Sequence, residues 1–293
     1  MTIIGFVGFG EAGRGIAKGL SQEGLQTRAY DALVHEPVGR AQVHCRAADA
    51  STVMYDDLTE MISGCDVVFS AVLTAACLDA ATQSAPYLRE GQIFVDINSA
   101  APAVKCRARD VVEATGASYV DAGVMAGVPL HSHRVPMLLA GGAAAALAEL
   151  LAPAGMNLTV FSPRVGDAAA AKMFQSILIK GTEALLLECL MAASKHGVER
   201  YILDSMTRFL SGLDWEARAN YMLGRTAKHG ARRADEMDEV VRTLEAMGIE
   251  PMVTRGAAAR LHWAAEHTHG RCRADETPGY REVIAVLREA EKT

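Results

Sequence analysis

Three glycines set the first constraint on this chain. An apolar run, Ile3 to Phe9, meets the turn Gly8-Phe9-Gly10-Glu11-Ala12-Gly13, and Asp31 follows a second short extended stretch, Gln26 to Tyr30. In such a turn the first glycine permits the tight bend, the second lets backbone amides approach a pyrophosphate, and the third allows a helix to pack closely on a strand. The N-terminus of the amphipathic stretch Glu11 to Glu23 attracts the anion. Asp31, 18 residues after Gly13, is placed to accept hydrogen bonds from a ribose diol. Glycine turns are common, so the reading rests on context: a strand before, a helix after, and a second strand ending in an acid. The cofactor-binding set is Gly8, Gly10, Glu11, Ala12, Gly13 and Asp31, with Val72 and Asn98 at the ends of later strands. The carboxylate of Asp31 repels a 2′-phosphate and so favours NAD, while Arg28 and Arg40 stand near enough in sequence to leave NADP open.

The chain has 293 residues, half of them apolar, which is enough for two domains and a large core. A net charge of −6 gives no basic face for nucleic acid or an anionic membrane, and neither is expected as a partner. Six cysteines (Cys45, Cys65, Cys77, Cys106, Cys189, Cys272) are scattered without a CxxC pair, which reads as reduced thiols. The N-terminus opens directly on a strand, no basic segment leads into a signal-type apolar run, and no span reaches membrane length. A cytoplasmic, unprocessed protein is the expectation.

From residue 1 to about 162 short β-rich runs alternate with helical ones, with Cys65 to Val72, Gln92 to Ile97, Ser118 to Val120 and Pro136 to Ala140 reading as further strands. That alternation predicts an α/β, doubly wound Rossmann sheet over residues 1–163. Beyond Pro163 the pattern is helical, including Asp167 to His196, Ala234 to Met247 and Arg281 to Glu291, so residues 164–293 are expected to form an all-α domain. The alanine-rich Ala143 to Ala148 reads as one more helix.

Within the apolar stretch Asp167 to Ala193 stand Lys172, Ser176, Lys180 and Glu183. At about 100° per residue the last three lie roughly 40°, 80° and 20° from Lys172 around the axis, forming one polar stripe. Such a stripe is either a solvated seam or the wall of a polar cleft between domains, and a buried lysine there must be neutralised or paired. Two loops belong where Rossmann-type sites assemble, at the carboxyl ends of strands. One is Asp96-Ile97-Asn98-Ser99-Ala100-Ala101-Pro102; the other is Asp121-Ala122-Gly123-Val124-Met125-Ala126-Gly127. Each, by itself, is also explained by strand-end caps and turns.

Taken in order, the glycine fingerprint, DINSAAP, DAGVMAG, Gly141-Gly142 after a strand, and VGDAAAAK resemble the β-hydroxyacid dehydrogenase superfamily, which includes 3-hydroxyisobutyrate and 6-phosphogluconate dehydrogenases. The likeness runs to about residue 190. It implies a nicotinamide-dependent oxidoreductase, with Lys172 in the position of the catalytic acid/base, Ser99 beside nicotinamide and substrate with Asn98 next to it, and a homodimer acting on a small molecule. Ser176 would join Ser99 and Asn98 in orienting the substrate oxygen. The substrate loop, Met125, Ala126 and Gly127, departs from the family's pattern: Met125 replaces a serine and has no hydrogen-bond donor for a substrate carboxylate. Gln175 and Ser176 stand where the family has an asparagine pair, and Asp235-Glu236-Met237 aligns with a KDL motif whose lysine is lost. The C-terminal part resembles a divergent phosphogluconate-dehydrogenase-like branch in which a His/Arg/Arg cluster precedes the Glu-Met pair.

That cluster is His229, Arg232 and Arg233, with His229 and Arg233 at i,i+4; together with Lys180 it is a candidate site for an anionic substrate group, or an ordinary basic helix start. His131-Ser132-His133-Arg134 is a second candidate for the substrate mouth, or a solvated loop. His262, His267 and His269 are not spaced to share one helix face, so no metal site is expected. Trp215, Tyr221 and Trp263 read as core or domain-contact residues. The expected activity is hydride transfer between a nicotinamide and a hydroxyl-bearing carbon. Imine reduction and a non-catalytic nucleotide sensor are the alternatives. The position of Asp31 predicts that calorimetric titration gives a lower dissociation constant for NADH than for NADPH, and a much lower value for NADPH would overturn the preference.

Overall fold

The computed structural model describes residues 2–210, 212–272 and 277–290. The chain divides into two compact units, Met1–Met173 and Phe174–Thr293. The first holds eight strands: β1 (Ile3–Val7), β2 (Gln26–Tyr30), β3 (Val53–Met54), β4 (Val67–Ser70), β5 (Ile93–Asp96), β6 (Ser118–Val124), β7 (Met137–Ala140) and β8 (Leu158–Ser162). They form one sheet in the order β3-β2-β1-β4-β5-β6-β7-β8. Neighbours run parallel except β6 and β7, which are antiparallel. Helices α1 (Glu11–Gln22), α2 (Pro37–Asp49), α3 (Leu58–Ser63), α4 (Cys77–Ser84), α5 (Pro102–Glu113), α6 (Val128–His131) and α7 (Ala144–Leu151) fill the connections.

The apolar runs form strands covered on both faces, as a parallel sheet requires. Successive side chains alternate between two cores. Ile4, Phe6, Val67, Phe69, Val95 and Val120 enter one with Ile16, Leu20 and Leu147, while Val7, Val68, Phe94 and Tyr119 enter the other with Met61 and Val112. The strand order reverses between β1 and β4, which puts a crevice outside their carboxyl ends. Two strands, β3 and β8, lie outside the runs expected from the sequence. A third difference bears on the site: β6 continues through Val124 because its second half pairs with β7, so Asp121 to Val124 are strand and only Met125 to Gly127 remain loop.

The long helix α8 (Asp167–Ser194) begins in the first unit and passes into the second, followed by α9 (Glu199–Phe209), α10 (Trp215–Ala246), α11 (Met252–Thr268) and α12 (Tyr280–Ala290). Glu291, the expected end of the last helix, lies outside the described residues. No helix among the described residues is long and apolar enough to cross a membrane. The core of the second unit gathers Leu187 and Leu190 of α8, Trp215 and Leu223 of α10, Ala264 of α11, and Val283 and Leu287 of α12. Trp215 and Trp263 pack there, whereas Tyr221 is about half exposed.

Two ion pairs are embedded in this helical unit. Arg233 of α10 donates from Nε (3.1 Å) and Nη2 to the carboxylate of Glu183 on α8, which also accepts from the Thr226 hydroxyl. Glu183 is fully buried and Arg233 nearly so. Lys180, also on α8, is bonded to Glu236 of α10. Burial pulls Lys180 below the ordinary lysine range against the opposing attraction of Glu236. Removing one partner of a buried pair leaves an uncompensated charge, so Arg233→Met is expected to cost about 3–5 kcal/mol in urea unfolding. Wild-type stability in that variant would show that the pair is not holding α8 to α10.

Candidate functional site

The glycine turn sits at the crevice where the strand order reverses. Gly8 has φ +87°, and a Cβ there would lie 2.5 Å from the Ala71 carbonyl oxygen at the end of β4. At Gly13 a Cβ would lie 2.6 Å from the Gly8 carbonyl oxygen, so α1 rests directly on the turn. Gly10 is the contrast: a Cβ there meets nothing within 4 Å. Gly10 is also the N-cap of α1, without a side-chain cap, and Glu11 and Ala12 form the first helical turn behind it. The turn thus offers a roomy approach to a helix N-terminus, the environment that suits a pyrophosphate. Asp31 follows β2, its Oδ2 accepting from the Phe9 amide (2.7 Å) and its Oδ1 from the Leu33 amide (3.0 Å). The carboxylate is therefore held beside the turn by two backbone donors. Arg40 is bonded to Asp56, and the Arg28 guanidinium lies over the Tyr55 ring at 5.5 Å.

Across the crevice the Asn98 side chain links two strand ends. Its Oδ1 accepts from the Val72 amide (2.7 Å) and its Nδ2 donates to Ser70 Oγ (2.9 Å). The Thr74 hydroxyl donates to the Ser99 carbonyl (3.1 Å). The loops after β4 and β5 are thereby fixed to one another, which brings Asn98, Ser99 and Val72 together.

Beneath that loop lies a polar cluster absent from the sequence reading. Asp96 and Asp121 face each other in register on β5 and β6, both fully buried. The Lys105 ammonium, reaching from α5, lies 2.7 Å from Asp96 Oδ1 and 3.4 Å from Asp121 Oδ1. It also donates to the Asp96 carbonyl (2.8 Å). The Tyr119 hydroxyl (2.7 Å) and the Cys77 thiol (3.0 Å) donate to Asp96 Oδ2. Burial alone would raise the pKa of Asp96, but Lys105 outweighs it and holds the carboxyl below its usual range. Burial would likewise lower Lys105, and Asp96 and Asp121 reverse that to a net rise. The stabilisation from Asp96 is thus present above about pH 4 and lost as pH falls through its depressed pKa; that from Lys105 is present below about pH 10 and lost on passing its raised one. The signal available in the sequence was Lys105, nine residues after Asp96 and three after Pro102.

Asp121 has a second task. Its Oδ2 accepts from the amides of Gly166 (3.1 Å) and Ala169 (3.0 Å), capping the start of α8 from another element. Lys172, half-buried, lies three residues further along that helix. Met125, Ala126 and Gly127 are half-buried after β6.

The remaining predicted residues are dispersed. Ser176 and Lys180 lie on the part of α8 in the second unit, with Lys180 bonded to Glu236. The basic cluster does not share one continuous helix face, since His229 has non-helical backbone angles (φ −129°, ψ 18°) and kinks α10. Arg232 is exposed, 3.8 Å from Glu236, while Arg233 is turned inward to Glu183. In the loop His131 to Arg134, Ser132 donates to the Gly15 carbonyl (2.9 Å), His133 is buried, and the exposed Arg134 is paired with Glu23 (2.9 Å). His262 is bonded to Asp238 (2.6 Å), with Asp235 in the same surface group.

Comparisons with known proteins agree with this arrangement. Residues 3–160 match the family model described as the NAD binding domain of 6-phosphogluconate dehydrogenase, and residues 193–264 match a domain of unknown function, DUF1932. A conserved hypothetical protein from Sinorhizobium meliloti is 38% identical, covers 99% of this chain and 96% of its own, and superposes with a TM-score of 0.74. The mitochondrial 3-hydroxyisobutyrate dehydrogenase of Drosophila melanogaster is 24% identical over 72% of this chain, a match spanning 64% of that enzyme's length. An imine reductase from Pseudomonas sp. shares the fold alone, at 15% identity and a TM-score of 0.60 over 98% of this chain and 99% of its own. The chain belongs to the β-hydroxyacid-dehydrogenase-like family that carries the NAD binding domain of 6-phosphogluconate dehydrogenase, with a helical unit following it.

Proposed function

We propose that this protein is a nicotinamide-dependent dehydrogenase acting on the hydroxyl-bearing carbon of a small polar substrate, a hydroxy acid or a phosphorylated compound. The observation that carries the reading is the roomy glycine turn at the head of α1, facing strand-end loops that Asn98 holds in place. Gly8, Gly10, Glu11, Ala12 and Gly13 would hold the pyrophosphate, and Asp31 the ribose diol. NAD is the preferred cofactor, because Asp31 is fixed beside the turn and Arg40 is engaged with Asp56. A bound nicotinamide dinucleotide supplies the hydride acceptor. The chain supplies the proton chemistry and the orientation.

In this mechanism Lys172 Nζ takes the hydroxyl proton as hydride leaves the same carbon, which avoids a free alkoxide or a protonated carbonyl. Asn98, Ser99 and Ser176 orient the substrate oxygen. Met125, Ala126 and Gly127 shape the substrate loop without a side-chain donor for a carboxylate. Lys180 and Arg233 are bonded to Glu236 and Glu183, and His229 and Arg232 are the proposed contacts for an anionic substrate group.

Cofactor binding and chemistry are separable. Gly10→Ala enters open space, so its stability is expected within about 1 kcal/mol of wild type, while NADH affinity measured by calorimetry falls. Gly13→Ala presses on backbone and is expected to cost about 1–3 kcal/mol in thermal unfolding. Unchanged NADH affinity in Gly10→Ala would remove the turn from the cofactor site. Nicotinamide absorbance assays over hydroxy acids, sugar acids and their phosphates are expected to show turnover that drops about 10²- to 10⁴-fold in Lys172→Ala. Full turnover in that variant would refute the acid/base role. Turnover confined to imines, or NADH binding with no turnover at all, would favour reductase or sensor readings.

A further inference from the structure

Two fully buried carboxylates on adjacent strands repel each other, and a parallel sheet offers no water to screen them. A pair of apolar residues would fill the same place with equal or greater stability, because a buried ion pair is a weak stabiliser. Asp96, Lys105 and Asp121 therefore call for an explanation in geometry, and their bonds supply one. On one side Asp96 Oδ1 accepts from the Asn98 amide (2.9 Å), and the Asn98 side chain then engages the Val72 amide and Ser70. On the other side Asp121 Oδ2 accepts from the amides of Gly166 and Ala169, one helical turn before Lys172. At the same place a Cβ on Gly123 would lie 2.8 Å from the Ala168 carbonyl oxygen, so β6 and α8 meet backbone to backbone. The Lys105 ammonium lies between the two carboxylates and touches both.

We propose that Lys105 is a positioning residue: one buried cation that couples the loop carrying Asn98 and Ser99 to the first turns of α8 carrying Lys172. Its purpose rests on the dehydrogenase reading above, since it places the groups assigned there to substrate orientation and proton transfer. None of its bonds reaches the glycine turn, so the coupling acts on the chemical end of the site and not on the pyrophosphate end. Without the cation, Asp96 and Asp121 face each other unneutralised, and the placement of both arms is loosened.

Hydrogen exchange on the cofactor-free protein tests the coupling without a known substrate. In Lys105→Met, amides in residues 96–102 and 164–173 are expected to exchange about tenfold faster or more, while those in residues 3–22 keep wild-type rates. Where Lys105→Met does not fold, Asp121→Asn serves: it keeps an oxygen for the two α8 amides but removes the attraction to Lys105, and faster exchange is expected in residues 164–173. Unchanged exchange in those segments, or an equal rise throughout the first unit, would overturn the proposal. As a second readout, Lys105→Met is expected to bind NADH within about threefold of wild type while kcat falls more than KM rises; parallel loss of NADH binding and turnover would signify a general structural role. Full turnover in Lys172→Ala alongside the local exchange change would fault the dehydrogenase reading and leave the coupling standing.

Discussion

The sheet of the first unit depends on charge neutralised where no water reaches. A carboxylate taken out of water and left alone costs several kcal/mol, and here two stand side by side, at the end of β5 and within β6. Lys105 lies between them, with a phenol, a thiol and three backbone amides taking up remaining acceptor positions. The result is a place within the sheet at which two neighbouring strands, a loop and a helix start are mutually defined. The second unit uses the same device across helices, with Glu183 and Lys180 of α8 against Arg233 and Glu236 of α10.

The pattern of the sequence carried the frame well and its interior charges poorly. Strands such as Val67 to Ser70 are short, apolar and bounded by turn residues, and the glycine turn has a local meaning because each glycine answers a nearby backbone. Asp121 was misplaced in a loop because a strand that pairs on both sides continues through residues that also suit a turn. The partners of Lys105 are no more legible, since Asp121 reaches it only through strand pairing. Arg233 and Glu183 stand 50 residues apart, and an arginine bonded inward has the same sequence context as one exposed on a surface. The kink at His229 has no proline to announce it, and it undid the shared face inferred from an i,i+4 spacing.

These findings redistribute the recognition expected of the family. The loop after β6 offers Met125 in place of a hydroxyl, and Arg233 is committed to Glu183, which narrows the places from which a substrate anion can be read. The cofactor side departs little from its pattern. The departures from the family's pattern thus fall among the residues proposed above for the substrate.

The helix α8 crosses the boundary between the compact units with no loop at the crossing. A recombination event that exchanges one half of this chain for that of a relative must therefore splice within an α-helix. The splice must preserve both the backbone hydrogen bonds spanning four residues and the angular register of every side chain downstream. An insertion of one residue shifts the angular register of the helix that follows by about 100°. Such a seam makes the two halves difficult to shuffle and favours their inheritance as one piece.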